Sequence, residues 1–299
     1  MADEALRQVL ELVRASPVDF TAPPGTARAA FEALFAEAPR PDAVRYEAAE
    51  VGGVRGLWAR IGETAGDRAI IYVHGGGFLA GSSTAYAALA GSLAEAAGID
   101  TFIVDYRLAP ENPSPAAQTD VFAVFGSMVS AGMKSVAVVG DSAGGFLVMT
   151  LLLLARERGL SMPSCAVFWS PWLNLGCDTD SYERNARLDP TLTTSGLLAG
   201  RRHFVGDSLP GDAALRPLDA DLAGLPPMLV QIGSTEILLD DALALATRAA
   251  AAGVMTRLDV YPGLPHVFQS FAGILPQAAR ALRDSATFVR LAQTDFVEG

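Results

Sequence analysis

The stretch SVAVVGDSAGGFLVMTLLLLAR, residues 135–156, joins two patterns of different period. Ser135–Val139 is a short β-branched run that reads as a strand buried on both faces. Ala143–Arg156 is apolar almost throughout and reads as a buried helix. Between them Gly140-Asp141-Ser142-Ala143-Gly144 fits G-x-S-x-G. So tight a strand-to-helix turn needs small residues two before and two after the serine. It lifts the hydroxyl above the sheet, at the positive end of a helix. The bare pattern is common, but this placement makes Ser142 a candidate nucleophile.

The same alternation extends in both directions. Upstream, Ala69–Val73 and Ile99–Val104 read as strands, with helices at Ala85–Ala97 and Ala116–Ser130. Residues 43–50 and 54–61 read as a hairpin closed by Gly52-Gly53. Two helical pieces separated by Pro17, Pro23, Pro24 and Gly25 precede it. Downstream, strands are expected at Cys165–Trp169, Met228–Ile232 and Thr256–Tyr261, with helices at Asp240–Ala252 and Leu275–Leu291. Continuous apolar strands alternating with helices imply an α/β fold with a parallel sheet covered on both faces. Residues 174–224, rich in Asp, Pro, Gly and Leu, break the alternation. They read as an insertion lying over the sheet, with a short helix at Ser195–Phe204.

The chain has 299 residues, 51% of them hydrophobic, so a large core needs no metal or disulfide staple. Cys165 and Cys177 read as structural, no Cys/His group has metal-ligand spacing, and no cofactor is expected. A net charge of −11 argues against nucleic acid or an anionic membrane as partner. No secretory signal and no membrane-length apolar run is visible, so a cytoplasmic protein is expected.

A serine nucleophile needs a base and preformed donors for the oxyanion. His74-Gly75-Gly76-Gly77-Phe78 follows the strand Ala69–Val73, and glycines let backbone N–H groups approach a substrate. The expected donors are Gly75, Gly76 and Ala143, with His74 bracing the loop. No phosphate-loop pattern is present. Of the three histidines, His203 stands beside Arg201 and Arg202 in the insertion. His266 follows the strand Thr256–Tyr261, where the order serine, acid, histidine requires the base. The acid should follow Met228–Ile232. Glu236, nearest the strand end, is favoured over Asp240 and Asp241, which fall where first-turn acids cap a helix.

His-Gly-Gly-Gly-Phe (74–78), Asp-Tyr-Arg-Leu-Ala-Pro-Glu (105–111) and Gly-Asp-Ser-Ala-Gly-Gly (140–145), with Ser-Pro-Trp (170–172) and Pro-His (265–266), resemble the hormone-sensitive-lipase-like family of α/β-hydrolases, above all its bacterial esterases. The resemblance spans roughly residues 69–292. It implies an α/β-hydrolase fold with a mostly parallel eight-stranded sheet in 43–173 and 225–299. It also implies a helical cap built from 1–42 and 174–224. Ser142, His266 and the acid after the seventh strand would form the triad. Where the family commonly has Asp before Pro-Leu, this chain has Glu236-Ile237-Leu238.

The activity implied is hydrolysis of short- to medium-chain carboxylic esters through an acyl-enzyme. Lactone hydrolysis is the alternative on the same triad. A non-catalytic binding protein on this fold is the remote one, and its mark, loss of the base, is absent here. Phe78, Tyr86, Trp172, Leu197 and Phe204 are expected to line a mostly apolar pocket. Homodimerisation through the last strand and helix is a further expectation of the resemblance.

Overall fold

The computed structural model describes residues 2–36, 38–62, 66–206 and 215–295. At Gly52-Gly53 both residues take positive φ (62° and 78°), the conformation whose twist suits a hairpin and which glycine adopts without a Cβ penalty. The turn joins β1 (Arg45–Val51) to antiparallel β2 (Val54–Arg60). The strands that follow are β3 (Arg68–Val73), β4 (Thr101–Val104), β5 (Ser135–Asp141), β6 (Ala166–Trp169), β7 (Met228–Gly233) and β8 (Thr256–Tyr261). One eight-stranded sheet results, in the order β1-β2-β4-β3-β5-β6-β7-β8. β2 and β4 pair antiparallel, and every pair from β4-β3 to β7-β8 is parallel.

The helices are α1 (Ala2–Ala15), α2 (Pro24–Phe35), α3 (Ala87–Ala97), α4 (Ala116–Ser130), α5 (Ala143–Glu157), α6 (Asp180–Arg184), α7 (Thr194–Val205), α8 (Leu239–Ala251) and α9 (Pro276–Asp295). α3 packs with α9, α4 with α5, and α8 against β7 and β8. Every residue of β4 to β7 is buried, which a sheet strand achieves only when both faces are covered. The edge strands β1 and β8 stay partly exposed. No described helix is long and apolar enough to cross a membrane.

Most element boundaries shift by a residue or two from the periodicity, α9 runs on to Asp295, and two of the shifts have a visible cause. β4 begins at Thr101 rather than Ile99, because the Asp100 carboxylate is turned aside to accept Ile61 N–H (2.9 Å) and to pair with Arg60 (2.8 Å). α3 begins at Ala87 rather than Ala85, because Tyr86 leaves helical geometry (φ −86°, ψ 2°) and sends its hydroxyl to Asp141.

The remaining segments lie near the carboxyl ends of the parallel strands. Val9 of α1 packs with Leu264 and Phe268, on either side of His266. Arg28 of α2 donates to the carbonyls of Leu79 (2.7 Å) and Ala109 (2.8 Å) and pairs with Glu111, tying α2 to the loops after β3 and β4. From 174–224, α7 presses Phe204 against Phe78, with ring centroids 3.8 Å apart and 10° between planes. Ser181 at the start of α6 bonds the Ile237 carbonyl (2.6 Å) after β7.

Candidate active site

The turn from β5 into α5 is a single residue, Ser142, at φ 51° and ψ −121°. A non-glycine residue seldom holds this conformation, and it marks the strained turn expected from the motif. The flanking glycines are there for space. A Cβ on Gly144 would run into the Val73 carbonyl, and one on Gly140 would lie 2.6 Å from the Gly144 oxygen. Ser142 N–H donates to Trp169 O (3.0 Å), and its carbonyl accepts from Trp172 N–H (3.0 Å), so β6 fixes the turn from the other side.

Neighbouring strands end at this level. The glycine loop follows β3, Ser142 follows β5, Ser170 follows β6, Glu236 follows β7 and His266 follows β8. Adjacent strands lie about 4.8 Å apart, so chain order becomes a row of side chains across the sheet. Glu236 is fully buried and its Oε2 lies 2.7 Å from His266 Nδ1. Its other oxygen, Oε1, accepts Gly233 N–H (2.6 Å) and the Ser170 hydroxyl (2.8 Å). Burial pushes the Glu236 carboxyl above its ordinary value, only partly opposed by His266. Burial pulls His266 down, but the bond to Glu236 and the charges of Glu236, Asp189 and Asp141 outweigh it. The imidazole therefore stands above its ordinary value. A base so placed keeps Nδ1–H on Glu236 and leaves Nε2 unprotonated for proton transfer.

Asp240 and Asp241 correct the expectation of helix caps. Neither side chain caps α8. Asp240 accepts Ser181 N–H (2.8 Å) and pairs with Arg184 (3.0 Å). Asp241 is buried, accepts Leu173 and Asn174 N–H (both 2.7 Å), and receives the Tyr182 hydroxyl (3.2 Å). Both carboxylates hold the segment after β6 onto α8, because its backbone donors have no strand to pair with.

Gly75 differs from the other expected donors in its contact: its N–H donates to Asp141 Oδ1 (3.0 Å). Among the described residues no protein acceptor takes the N–H of Gly76, Gly77 or Ala143. Gly77 is therefore a donor candidate that sequence reasoning missed. His74 does brace the loop. Its Nδ1–H donates to the Gly75 carbonyl (2.8 Å), its ring lies 4.2 Å from that of Tyr106, and burial lowers its pKa to about 4, so it stays neutral. His203 lies partly exposed on α7.

The five expected pocket residues separate. Leu197 lines a cavity of about 240 Å³ together with Val18, Phe20, Asp189, Leu192 and Gly196. Phe20 also borders the glycine loop, since a Cβ on Gly77 would lie 3.4 Å from its ring. Phe78, Trp172 and Phe204 interlock with Phe146 and are at most 1% exposed, so they form the layer joining α7 to the glycine loop rather than an open wall. Tyr86 is buried behind the glycine loop with its hydroxyl on Asp141 Oδ2 (3.0 Å).

Ser170, Asn185 and Asp189 were also missed as site residues. The Ser170 hydroxyl accepts Val267 N–H (3.1 Å) while donating to Glu236, so one side chain ties acid and base loops together. Asn185 donates to the Glu236 carbonyl (2.7 Å), and Asp189 accepts Ile237 N–H (2.9 Å). A serine immediately after a core strand was a usable signal for Ser170. Nothing local marks Asn185 or Asp189.

Comparison with known proteins shows the family. Residues 70–270 match a family model described as alpha/beta hydrolase fold. An esterase of Acinetobacter venetianus is 34% identical over 276 residues, 91% of either chain. An acetyl-hydrolase of Streptomyces hygroscopicus is 34% identical over 244 residues, 81% of either chain. The solved structure of an esterase from the bacterial hormone-sensitive lipase family superposes with a TM-score of 0.92 at 36% identity, covering 97% of this chain and 98% of its own.

Proposed function

We propose that this chain, which belongs to the α/β-hydrolase fold family and is a serine esterase of its bacterial hormone-sensitive-lipase group, hydrolyses short- to medium-chain carboxylic esters with Ser142 as nucleophile. The observation that carries the reading is the Glu236–His266 pair, joined at 2.7 Å on the strand ends beyond Ser142. His266 removes the Ser142 proton as the hydroxyl attacks the ester carbonyl. The oxyanion forms against the N–H groups of Gly76, Gly77 and Ala143. His266 then protonates the departing alcohol, and afterwards takes a proton from the water that cleaves the acyl-enzyme. Glu236 keeps the imidazole in one tautomer and offsets its positive charge.

We assign residues 1–42 and 174–224 to one cap over 43–173 and 225–299. The anchors of α2 and α7 on the glycine loop support that division. The test is turnover of p-nitrophenyl esters of increasing acyl length, alongside small lactones, with Ser142→Ala as control. Highest kcat/KM on acyl chains of up to about eight carbons, abolished in the variant, is expected. Retained turnover in Ser142→Ala would remove Ser142 from its role. Preference for lactones would change the substrate class while leaving the residues in place.

A further inference from the structure

The acid next to the nucleophile is unexplained by the reaction just described. Asp141 ends β5, is fully buried, and forms no ion pair among the described residues. The turn into α5 needs glycine at 140 and 144 but makes no such demand at 141, and burying a lone carboxylate is costly. Burial does push its pKa up to about 6, against the pull of its hydrogen bonds and of the His266 charge.

Those bonds show what the carboxylate is for. Oδ1 accepts the Tyr72 hydroxyl (2.9 Å) from β3 and Gly75 N–H (3.0 Å) from the glycine loop. Oδ2 accepts the Tyr86 hydroxyl (3.0 Å) from the residue preceding α3. Three neutral donors from three segments thus converge on a group one residue from Ser142. Gly75 and Ser142 are so close that a Cβ on Gly75 would stand 3.0 Å from the serine Cβ. Turning Gly75 N–H toward Asp141 sets the rotation of the loop that follows, where the N–H groups of Gly76 and Gly77 meet no protein acceptor among the described residues. Donors aimed at an oxyanion are effective only if fixed before the charge develops.

We propose that Asp141 is a positioning residue for the oxyanion site, holding the glycine loop in register with the nucleophile turn through Gly75 N–H. The proposal rests on Ser142 being the nucleophile and deepens that reading. Asparagine at 141 keeps one oxygen for Gly75 and Tyr72, and its amide can donate to the Tyr86 oxygen. Alanine keeps neither.

The experiment compares Asp141→Ala, Asp141→Asn and Ser142→Ala on p-nitrophenyl butyrate, and measures inhibition by a trifluoromethyl ketone, whose adduct carries the oxyanion. Asp141→Ala should lose about 10²-fold in kcat with KM changed less than about threefold, and ketone affinity should weaken by the same factor as kcat/KM. Asp141→Asn should stay within about tenfold of wild type in both. A folded Asp141→Ala with wild-type kcat overturns the proposal. So does a loss of kcat with unchanged ketone affinity, or an asparagine variant as poor as alanine. If Asp141→Ala does not fold, Tyr72→Phe/Tyr86→Phe replaces it, with a matched fall of about tenfold expected and unchanged values overturning the idea. Turnover surviving in Ser142→Ala marks failure of the nucleophile assignment instead.

Discussion

Shortening Glu236 to aspartate tests the acid with a change of one methylene. The carboxyl group then retreats by about 1.5 Å, one carbon–carbon bond. In the native arrangement Oε1 is held by Gly233 N–H at 2.6 Å and the Ser170 hydroxyl at 2.8 Å, while Oε2 meets His266 Nδ1 at 2.7 Å. An aspartate that keeps the first two partners leaves His266 at about 4.2 Å, beyond hydrogen-bond reach. One that follows His266 leaves buried donors unpaired, at about 1–3 kcal/mol each. Misplacement by about 1 Å costs on the order of 10²-fold in rate, or about 2.7 kcal/mol of barrier. Glu236→Asp should therefore lose about 10²-fold in kcat on p-nitrophenyl butyrate with little change in KM. Glu236→Gln, which turns the imidazole to the wrong tautomer, should lose about 10⁴-fold. Asp240→Ala is the control and should keep kcat within about threefold, because its carboxylate serves Ser181 and Arg184. Wild-type kcat in Glu236→Asp together with less than a tenfold loss in Glu236→Gln would refute the assignment.

Three further outcomes are expected. The rise of kcat/KM on the acidic side should lie above the ordinary imidazole value of 6.5, because Glu236 and its neighbours hold the proton on His266. Activity then falls as pH drops through that point, and a midpoint below 6.5 in a profile from pH 5 to 9 would contradict it. Asp241 is raised from 3.8 to about 7 by burial, so the folded state holds an extra proton over that window and stability falls as pH rises through it. Asp241→Asn should remove about 2 kcal/mol of the fall between pH 5 and 8, and urea melts that fall in parallel for both proteins would refute this. Phe204→Ala, which empties the stack on Phe78, should cost about 3–5 kcal/mol in urea unfolding.

The amino-acid sequence by itself determined the alternation of strands and helices, the strand-to-helix turn at Ser142, and the placement of Glu236 and His266 just beyond the ends of β7 and β8. Each of these is a local pattern, or a position counted from the end of a strand. An apolar run buried on both faces must be covered by helices, and small residues around Ser142 are required wherever a strand turns into a helix at once. Only the tertiary structure decided which donors face which acceptors. Gly75 was indistinguishable from Gly76 in a run of three glycines until Asp141, 66 positions away, took its N–H. Ser170 joins Glu236 to Val267 across separations of 66 and 97 residues. The aromatic residues expected to line a pocket instead close on one another, because side-chain packing depends on what arrives from the other side. Hydrogen bonds and packing between distant segments carry no periodicity, so no window of sequence displays them.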